Sequence, residues 1–252
     1  MKQKTKNKLA DGVFKFVKKN MAKKPFVSVI VAAGGTSNRM GNVNKLLEEV
    51  SGVPVIAITL SALNEAKCVN EIILTANEND IVEFADICKK YNFEKVKQIV
   101  KGGSVRLESV YRGMAEVSPE AEIIAIHDGA RPFVTEDIIQ RTVDGAVEYG
   151  AAAPCVPVKD TIKVAKSGFV TETPERSTLF AIQTPQTFDA ALIKAAIFNA
   201  VENKIEVTDD CSTVEAIGAT VKLVEGSYDN MKITVPQDLE IAEAIYNSEG
   251  KA

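Results

Sequence analysis

The stretch Phe26-Val27-Ser28-Val29-Ile30-Val31-Ala32, running into Ala33-Gly34-Gly35, decides how the rest of the chain is read. A near-continuous run of valine and isoleucine is what a strand carries when helices cover both faces of a parallel sheet. The glycine turn that follows lies where open α/β sheets bind ligands, at the carboxyl end of a strand. Working outward, the pattern predicts further strands at 71–76, 96–100, 122–127, 151–156 and 220–224. Amphipathic helices fit near 54–66, 78–91, 104–117, 135–149, 188–203 and 236–247. Such alternation predicts an α/β fold with a doubly wound, mostly parallel sheet. Residues 158–181 break the rhythm with Lys-Asp-Thr, Ser-Gly and Thr-Pro turn signals around short β-prone pieces, and predict a protruding β-arm.

The 252 residues are 46% hydrophobic and 25% charged, the composition of a folded globular protein. No apolar run approaches the ~20 residues that span a bilayer, and the lysines at the start precede no signal-peptide core, so the expectation is a cytoplasmic protein with no stable membrane association. Residues 1–24 hold nine lysines against Asp11, a net of +8, leaving −12 for the remainder within the total of −4. This reads as a basic, flexible N-terminal extension on a single domain spanning 25–252, whose negative charge argues against nucleic-acid binding. Cysteines at 68, 88, 155 and 211 form no CxxC and suit neither a disulfide framework nor a zinc knuckle. A single histidine, His127, excludes multi-histidine metal sites.

Five stretches carry chemistry. In Ala32-Ala33-Gly34-Gly35-Thr36-Ser37-Asn38-Arg39-Met40-Gly41, ending at Lys45, small residues let backbone N–H groups approach a ligand, and Arg39 and Lys45 add positive charge: a triphosphate cradle. GxxxxGK[ST] and GxGxxG are both absent, so neither a P-loop nor a standard dinucleotide site is expected. Past another apolar strand comes His127-Asp128-Gly129-Ala130-Arg131-Pro132, where Asp128 can hold Mg²⁺ against phosphate oxygens and Arg131 can clamp an anion or anchor the loop. His127 reads as a structural hydrogen-bonding group. Lys101-Gly102-Gly103-Ser104 opens a helix whose Arg106 and Ser109 can meet a base, with Ser104 a candidate cap. Thr208-Asp209-Asp210 offers a second carboxylate cluster, Asp209 being either a helix cap or a second metal ligand. Lys232, in Asn230-Met231-Lys232-Ile233-Thr234, precedes a helix start marked by Thr234, Pro236 and a capping-box Gln237, and suits a phosphate.

Taken in order, Ala-Ala-Gly…Arg39-Met40…Lys45, Gly102-Gly103…Arg106…Ser109-Val110, His127-Asp128-Gly129-Ala130-Arg131-Pro132, Asp160-Thr161-Ile162-Lys163, Arg176, Gln183-Thr184-Pro185-Gln186, Thr208-Asp209-Asp210 and Asn230…Lys232-Ile233-Thr234 closely resemble the 2-C-methyl-D-erythritol 4-phosphate cytidylyltransferase family. The resemblance runs from about Val27 to Ala242. It implies a Rossmann-like nucleotidyltransferase fold and a homodimeric, Mg²⁺-dependent enzyme of the non-mevalonate isoprenoid pathway. That enzyme joins CTP to a sugar-alcohol phosphate and releases diphosphate. It also implies roles: Arg39 and Lys45 on the α-phosphate and departing diphosphate, Asp128 on the metal, and Ala32, Ala33, Gly34, Gly35, Gly103, Ser104 and Ser109 around the nucleotide. Lys232, Arg131 and Thr184 would face the acceptor substrate, with Thr161 and Arg176 delivered by the neighbouring subunit's arm.

Two departures stand out. Four residues separate Ala-Ala-Gly from Arg39 where three are usual, although the Gly34-to-Lys45 distance is kept. Ser104 stands where an acidic side chain is frequent, which leaves a base contact there to the backbone. A ribitol 5-phosphate cytidylyltransferase shares the cradle, arm and Lys-Ile-Thr ending; Gly129-Ala130 and Asp160-Thr161-Ile162-Lys163 favour the methylerythritol enzyme. A catalytically inactive nucleotide-binding regulator is the alternative of another class, and Arg39, Lys45, Asp128 and Lys232 speak against it.

Overall fold

The computed structural model describes residues 24–35 and 44–248. Arg39 and the basic segment up to residue 23 lie outside the described residues. The strands are β1 (Val27–Ala33), β2 (Glu49–Val50), β3 (Val53–Pro54), β4 (Glu71–Ala76), β5 (Val96–Lys101), β6 (Ile123–Asp128), β7 (Ala151–Pro157), β8 (Val164–Lys166), β9 (Phe169–Glu172), β10 (Phe180–Ile182), β11 (Gln186–Asp189) and β12 (Lys222–Glu225). The α-helices are α1 (Val55–Glu65), α2 (Ile81–Lys90), α3 (Arg106–Ala115), α4 (Glu136–Tyr149), α5 (Ala190–Glu202), α6 (Asp210–Ala216) and α7 (Gln237–Ser248).

The main sheet runs β10-β7-β11-β6-β1-β4-β5, with β12 also on β7. Strand β1 pairs in parallel with both β4 and β6, and β4 with β5, so the glycine turn leaves the middle of the parallel half. Strand pleating then sorts the core. Val29, Val31, Ile72 and Leu74 join one cluster with Ile56, Leu60, Leu63 and Phe84, while Ile30 and Ile73, one residue out of phase, join the other with Val110, Phe188, Ile193 and Val214. Apolar residues at both parities of each strand therefore demand helices on both faces, and each such side chain contributes roughly 1.5–3 kcal/mol when fully buried. Gly113 lets α3 lie close on β1 and β4: a Cβ there would sit 2.8 Å from methyls of Ile30 and Thr75.

Every strand and helix expected from the pattern is present within a few residues. Asp189, expected inside a helix beginning near 188, instead ends β11 and caps α5, its carboxylate accepting from Leu192 N at 2.9 Å. Strand β11 itself was not expected; it is antiparallel to both β6 and β7, and its Thr187 and Phe188 are fully buried between them. The arm is a hairpin of β8 and β9 around Ser167 and Gly168, both at positive φ, the conformation that twists two strands back on each other. At the start of α7, Asp238 reaches back to Thr234 N (2.7 Å) and Val235 N (3.0 Å). The reciprocal residue of that cap is thus Asp238 and not Gln237, one position further along and with a shorter reach to the open N–H groups.

Candidate active site

The carboxyl ends of β1 and β6, the turn after β5 and the loop before α7 enclose a cleft of about 270 Å³. It is lined by Ala32, Ala33, Gly34 and Gly35 on one side, Gly103, Ser104 and Ser109 on another, and Lys45, Asp128 and Lys232 across from them. Distant segments converge because β1 and β6 are neighbours in the sheet and the loop after β6 is bonded to the loop carrying Lys232.

Asp128 is the electrostatic centre. Its Oδ1 accepts from Arg106 Nη1, and its Oδ2 from Lys232 Nζ at 3.0 Å and Arg131 Nε at 3.3 Å. Burial alone would raise this carboxyl, but Arg106, Lys232 and Arg131 outweigh it and hold the group well below the ordinary carboxylate range. The loop carrying Lys232 is stitched in place by Arg131 Nη1 to Asn230 O (2.7 Å) and Ile233 N to Ala130 O (2.9 Å). Lys45 Nζ donates to Ile233 O at 2.9 Å, which brings the cradle's lysine to the same loop. Just before it, Asn44 Nδ2 donates to Asp80 Oδ2 at 2.8 Å, anchoring the end of the cradle to the turn that starts α2.

The turn after β5 is shaped by backbone approach. A Cβ on Gly103 would lie 2.1 Å from Glu108 Cβ, so only glycine fits, and Ser109 Oγ accepts from Gly103 N at 3.0 Å. Ser104 does not cap α3: its N and Oγ both donate to Glu108 Oε2 (2.8 and 3.0 Å), because Glu108 reaches back across the first turn.

Several expected residues sit elsewhere. Thr184, expected against substrate, is buried; its hydroxyl accepts from Asp128 N at 3.0 Å and meets His127 Nδ1 at 3.1 Å, while its carbonyl accepts from Asn230 Nδ2. It braces Asp128 from behind, since the unexpected strand β11 brings residue 184 alongside the end of β6. Arg131 is 11% exposed and takes the anchoring alternative. Asp209 is a cap, its Oδ1 accepting from Ser212 N at 3.0 Å and its Oδ2 from Gln186 Nε2 at 2.9 Å, so both oxygens are engaged. Thr161 and Arg176 lie on the exposed arm, Arg176 Nη1 donating to Lys159 O at 3.2 Å. Arg106 was expected to meet a base; instead its Nε and Nη2 grip Asp210 Oδ2 at 3.1 and 2.7 Å. Asp210, a member of the second carboxylate cluster with no role of its own in the sequence reading, begins the helix that Asp209 caps and is buried.

His127 is fully buried, its Nε2 donating to Arg131 O at 3.1 Å as its Nδ1 accepts from Thr184 Oγ1. Burial, countered in part by Arg131 O and Asp128, pushes its pKa down from 6.5 to about 4. A group held neutral in the fold takes its proton first when unfolded, so stability present above pH 6.5 is lost as pH falls towards 4. As the only histidine it can be followed by NMR: no imidazole titration is expected between about pH 8 and 5 in the folded protein, and a midpoint near the ordinary value would refute the burial argument.

The family model for 2-C-methyl-D-erythritol 4-phosphate cytidylyltransferase matches residues 27–248. Proteins named as that enzyme in Alkaliphilus oremlandii and Caldanaerobacter subterraneus are each 45% identical, over 222 and 221 residues, covering 86% of this chain and 94% and 97% of the relative. Among solved structures, 4-diphosphocytidyl-2C-methyl-D-erythritol synthase of Anaerococcus prevotii superposes with a TM-score of 0.79 at 33% identity, over 89% of this chain and 97% of that one. The cytidylyltransferase of Thermus thermophilus gives 0.72 at 31%, over 88% and 99%.

Proposed function

The chain belongs to the 2-C-methyl-D-erythritol 4-phosphate cytidylyltransferase family, and on that premise we propose how its residues divide the work. The enzyme joins CTP and 2-C-methyl-D-erythritol 4-phosphate into CDP-methylerythritol and diphosphate, in the non-mevalonate route to isoprenoid precursors. The observation that carries the assignment of roles is the convergence of Lys45, Asp128 and Lys232 on one cleft floored by Ala32-Ala33-Gly34-Gly35.

An oxygen of the acceptor's phosphate attacks the α-phosphorus of CTP in line, and the bond from that phosphorus to the bridging oxygen of the β-phosphate breaks. The attacking oxygen is already anionic, so no protein base is needed and catalysis is positioning plus charge stabilisation. Lys45, with Arg39 from outside the described residues, neutralises charge growing on the α-phosphate and the departing diphosphate. Lys232 meets the acceptor phosphate, with Arg131 fixing its loop. Main-chain groups of Ala32, Ala33, Gly34, Gly35, Gly103 and Ser104, together with Ser109, hold the cytidine and its phosphates. Asp128 is the residue to hold Mg²⁺, and the donor set fits a metal bound chiefly through substrate: among the described residues no three acidic, histidine or cysteine side chains converge, so one carboxylate would share the ion with phosphate oxygens and water. Such an ion supplies charge neutralisation between the phosphates.

We read residues 25–252 as one nucleotidyltransferase domain and the arm at 158–181 as the seat of a homodimer. Val164, Phe169 and Val170 on the hairpin are 45%, 78% and 60% exposed, an apolar surface that a partner subunit would cover. Thr161 and Arg176 then belong to the partner's cleft. No helix of the described residues is long and apolar enough to cross a membrane. The test is complementation: an Arg176→Ala arm variant mixed with a Lys45→Ala cradle variant is expected to recover about a quarter of the activity per dimer, read as diphosphate released from CTP and methylerythritol phosphate, because half the dimers are mixed and carry one intact cleft. No recovery in proven heterodimers would remove the shared site.

A further inference from the structure

The two oxygens of Asp128 have different partners. Oδ2 takes Lys232 and Arg131, both tied to the loop before α7; the partner of Oδ1 among the described residues is Arg106. The same guanidinium makes two bonds to Asp210 Oδ2, at 3.1 and 2.7 Å. Asp128 and Asp210 are 5% and 2% exposed, and two buried carboxylates turned towards one point repel unless a cation stands between them. Arg106 is that cation, and it reaches the surface of the nucleotide cleft, where its side chain is 28% exposed.

The geometry points to Arg106 as a resident counter-ion: in the nucleotide-free protein it fills the electrostatic place of the divalent cation on Asp128 Oδ1, and so keeps free metal out until nucleotide arrives. This rests on the reading of Asp128 as the metal-holding carboxylate. The arrangement is asymmetric in a useful way. One bond ties Arg106 to Asp128 and two tie it to Asp210, so the guanidinium releases Oδ1 while staying leashed at the cleft wall. Asp210 is then a positioning residue, acting through Arg106 and not on the substrate. Lys232 and Arg131 remain on Oδ2 throughout, which keeps the carboxylate oriented when Oδ1 changes partner. Metal and nucleotide are expected to enter together, since only nucleotide phosphates supply the further oxygens that make displacement of Arg106 favourable.

Mn²⁺ titrated into nucleotide-free protein, with bound ion followed by electron paramagnetic resonance, tests this. The wild type is expected to show no saturable site below about 1 mM, whereas Arg106→Gln gains one at least roughly tenfold tighter that vanishes when Asp128→Asn is added. Arg106→Gln leaves Asp210 buried, unpaired and able to add a ligand of its own, so Arg106→Gln/Asp210→Asn is titrated as well, with CTP present to supply the phosphate oxygens that a lone carboxylate needs; a gain over wild type under the same conditions, abolished by Asp128→Asn, is expected. Overturning results are variants that fold by thermal melt yet bind Mn²⁺ no better than wild type, or a gain that survives Asp128→Asn. A parallel titration with CTP separates the two layers. If Mn²⁺·CTP binding needs Asp128 but the arginine variants gain nothing alone, the counter-ion role falls and the metal role stands; if it ignores Asp128, both fall.

Discussion

Asp128→Asn is expected to lower turnover by about 10³-fold or more and to lower stability as well. On the proposed roles, the activity loss follows from removing the carboxylate that would hold the metal against the phosphates and that orients Lys232; electrostatic groups of this kind are worth roughly 10²–10³ singly, and here two roles fall together. The stability loss follows from the three cations around it. Arg106, Arg131 and Lys232 would be left facing one another, and removing one partner of a fully buried pair costs about 3–5 kcal/mol. Arg106 and Lys232 are 28% and 39% exposed, so water offsets part of this and about 2 kcal/mol is expected, a fall of roughly 4–8 °C in Tm. From sequence alone the residue looks replaceable without harm to the fold, because nothing in His127-Asp128-Gly129 announces a knot of three cations. Near-normal turnover at saturating CTP and Mg²⁺ would refute the role; an unchanged melting temperature would refute the electrostatic account.

Lys45→Ala is expected to separate activity from stability. Its amine donates to Ile233 O at 2.9 Å, a partly exposed contact whose loss costs about 1 kcal/mol, hence a change of roughly 2–4 °C in Tm. On the proposed role, turnover should fall by about 10²–10³-fold with a much smaller change in KM for CTP, because the charge that Lys45 would meet on the departing diphosphate develops only in the transition state. Steady-state kinetics with both substrates varied reads this split. A rise in KM with kcat intact would make Lys45 a binding group and move the leaving-group role elsewhere.

The cradle was the most legible part of the site. Small residues after an apolar strand leave little choice about what they do, and Ala32, Ala33, Gly34 and Gly35 line the cleft as their position at the end of β1 requires. Lys45 and Lys232 were equally visible as cations beside strand or helix ends. Thr184 was not: its Thr-Pro setting reads as a turn, and only the insertion of β11 between β6 and β7 turns its hydroxyl under Asp128. Arg106 reads in the sequence as a group that can meet a base, but its carboxylate partners lie 22 and 104 positions along the chain. The choice between Asp209 and Asp210 likewise turned on which of two adjacent acids caps α6, a matter of one residue in a helix start.

The amino-acid sequence by itself determined what depends on local pattern: strands buried on both faces, the order of strands and helices, the glycine turn, and a family signature spread along most of the chain. These follow from side-chain periodicity and backbone sterics acting within a few residues. Tertiary structure alone decided which charges meet. Asp128, Asp210, Arg106, Arg131 and Lys232 come from four separate segments, and ion pairing between them is set by sheet order and helix packing, quantities to which hydrophobic period is blind.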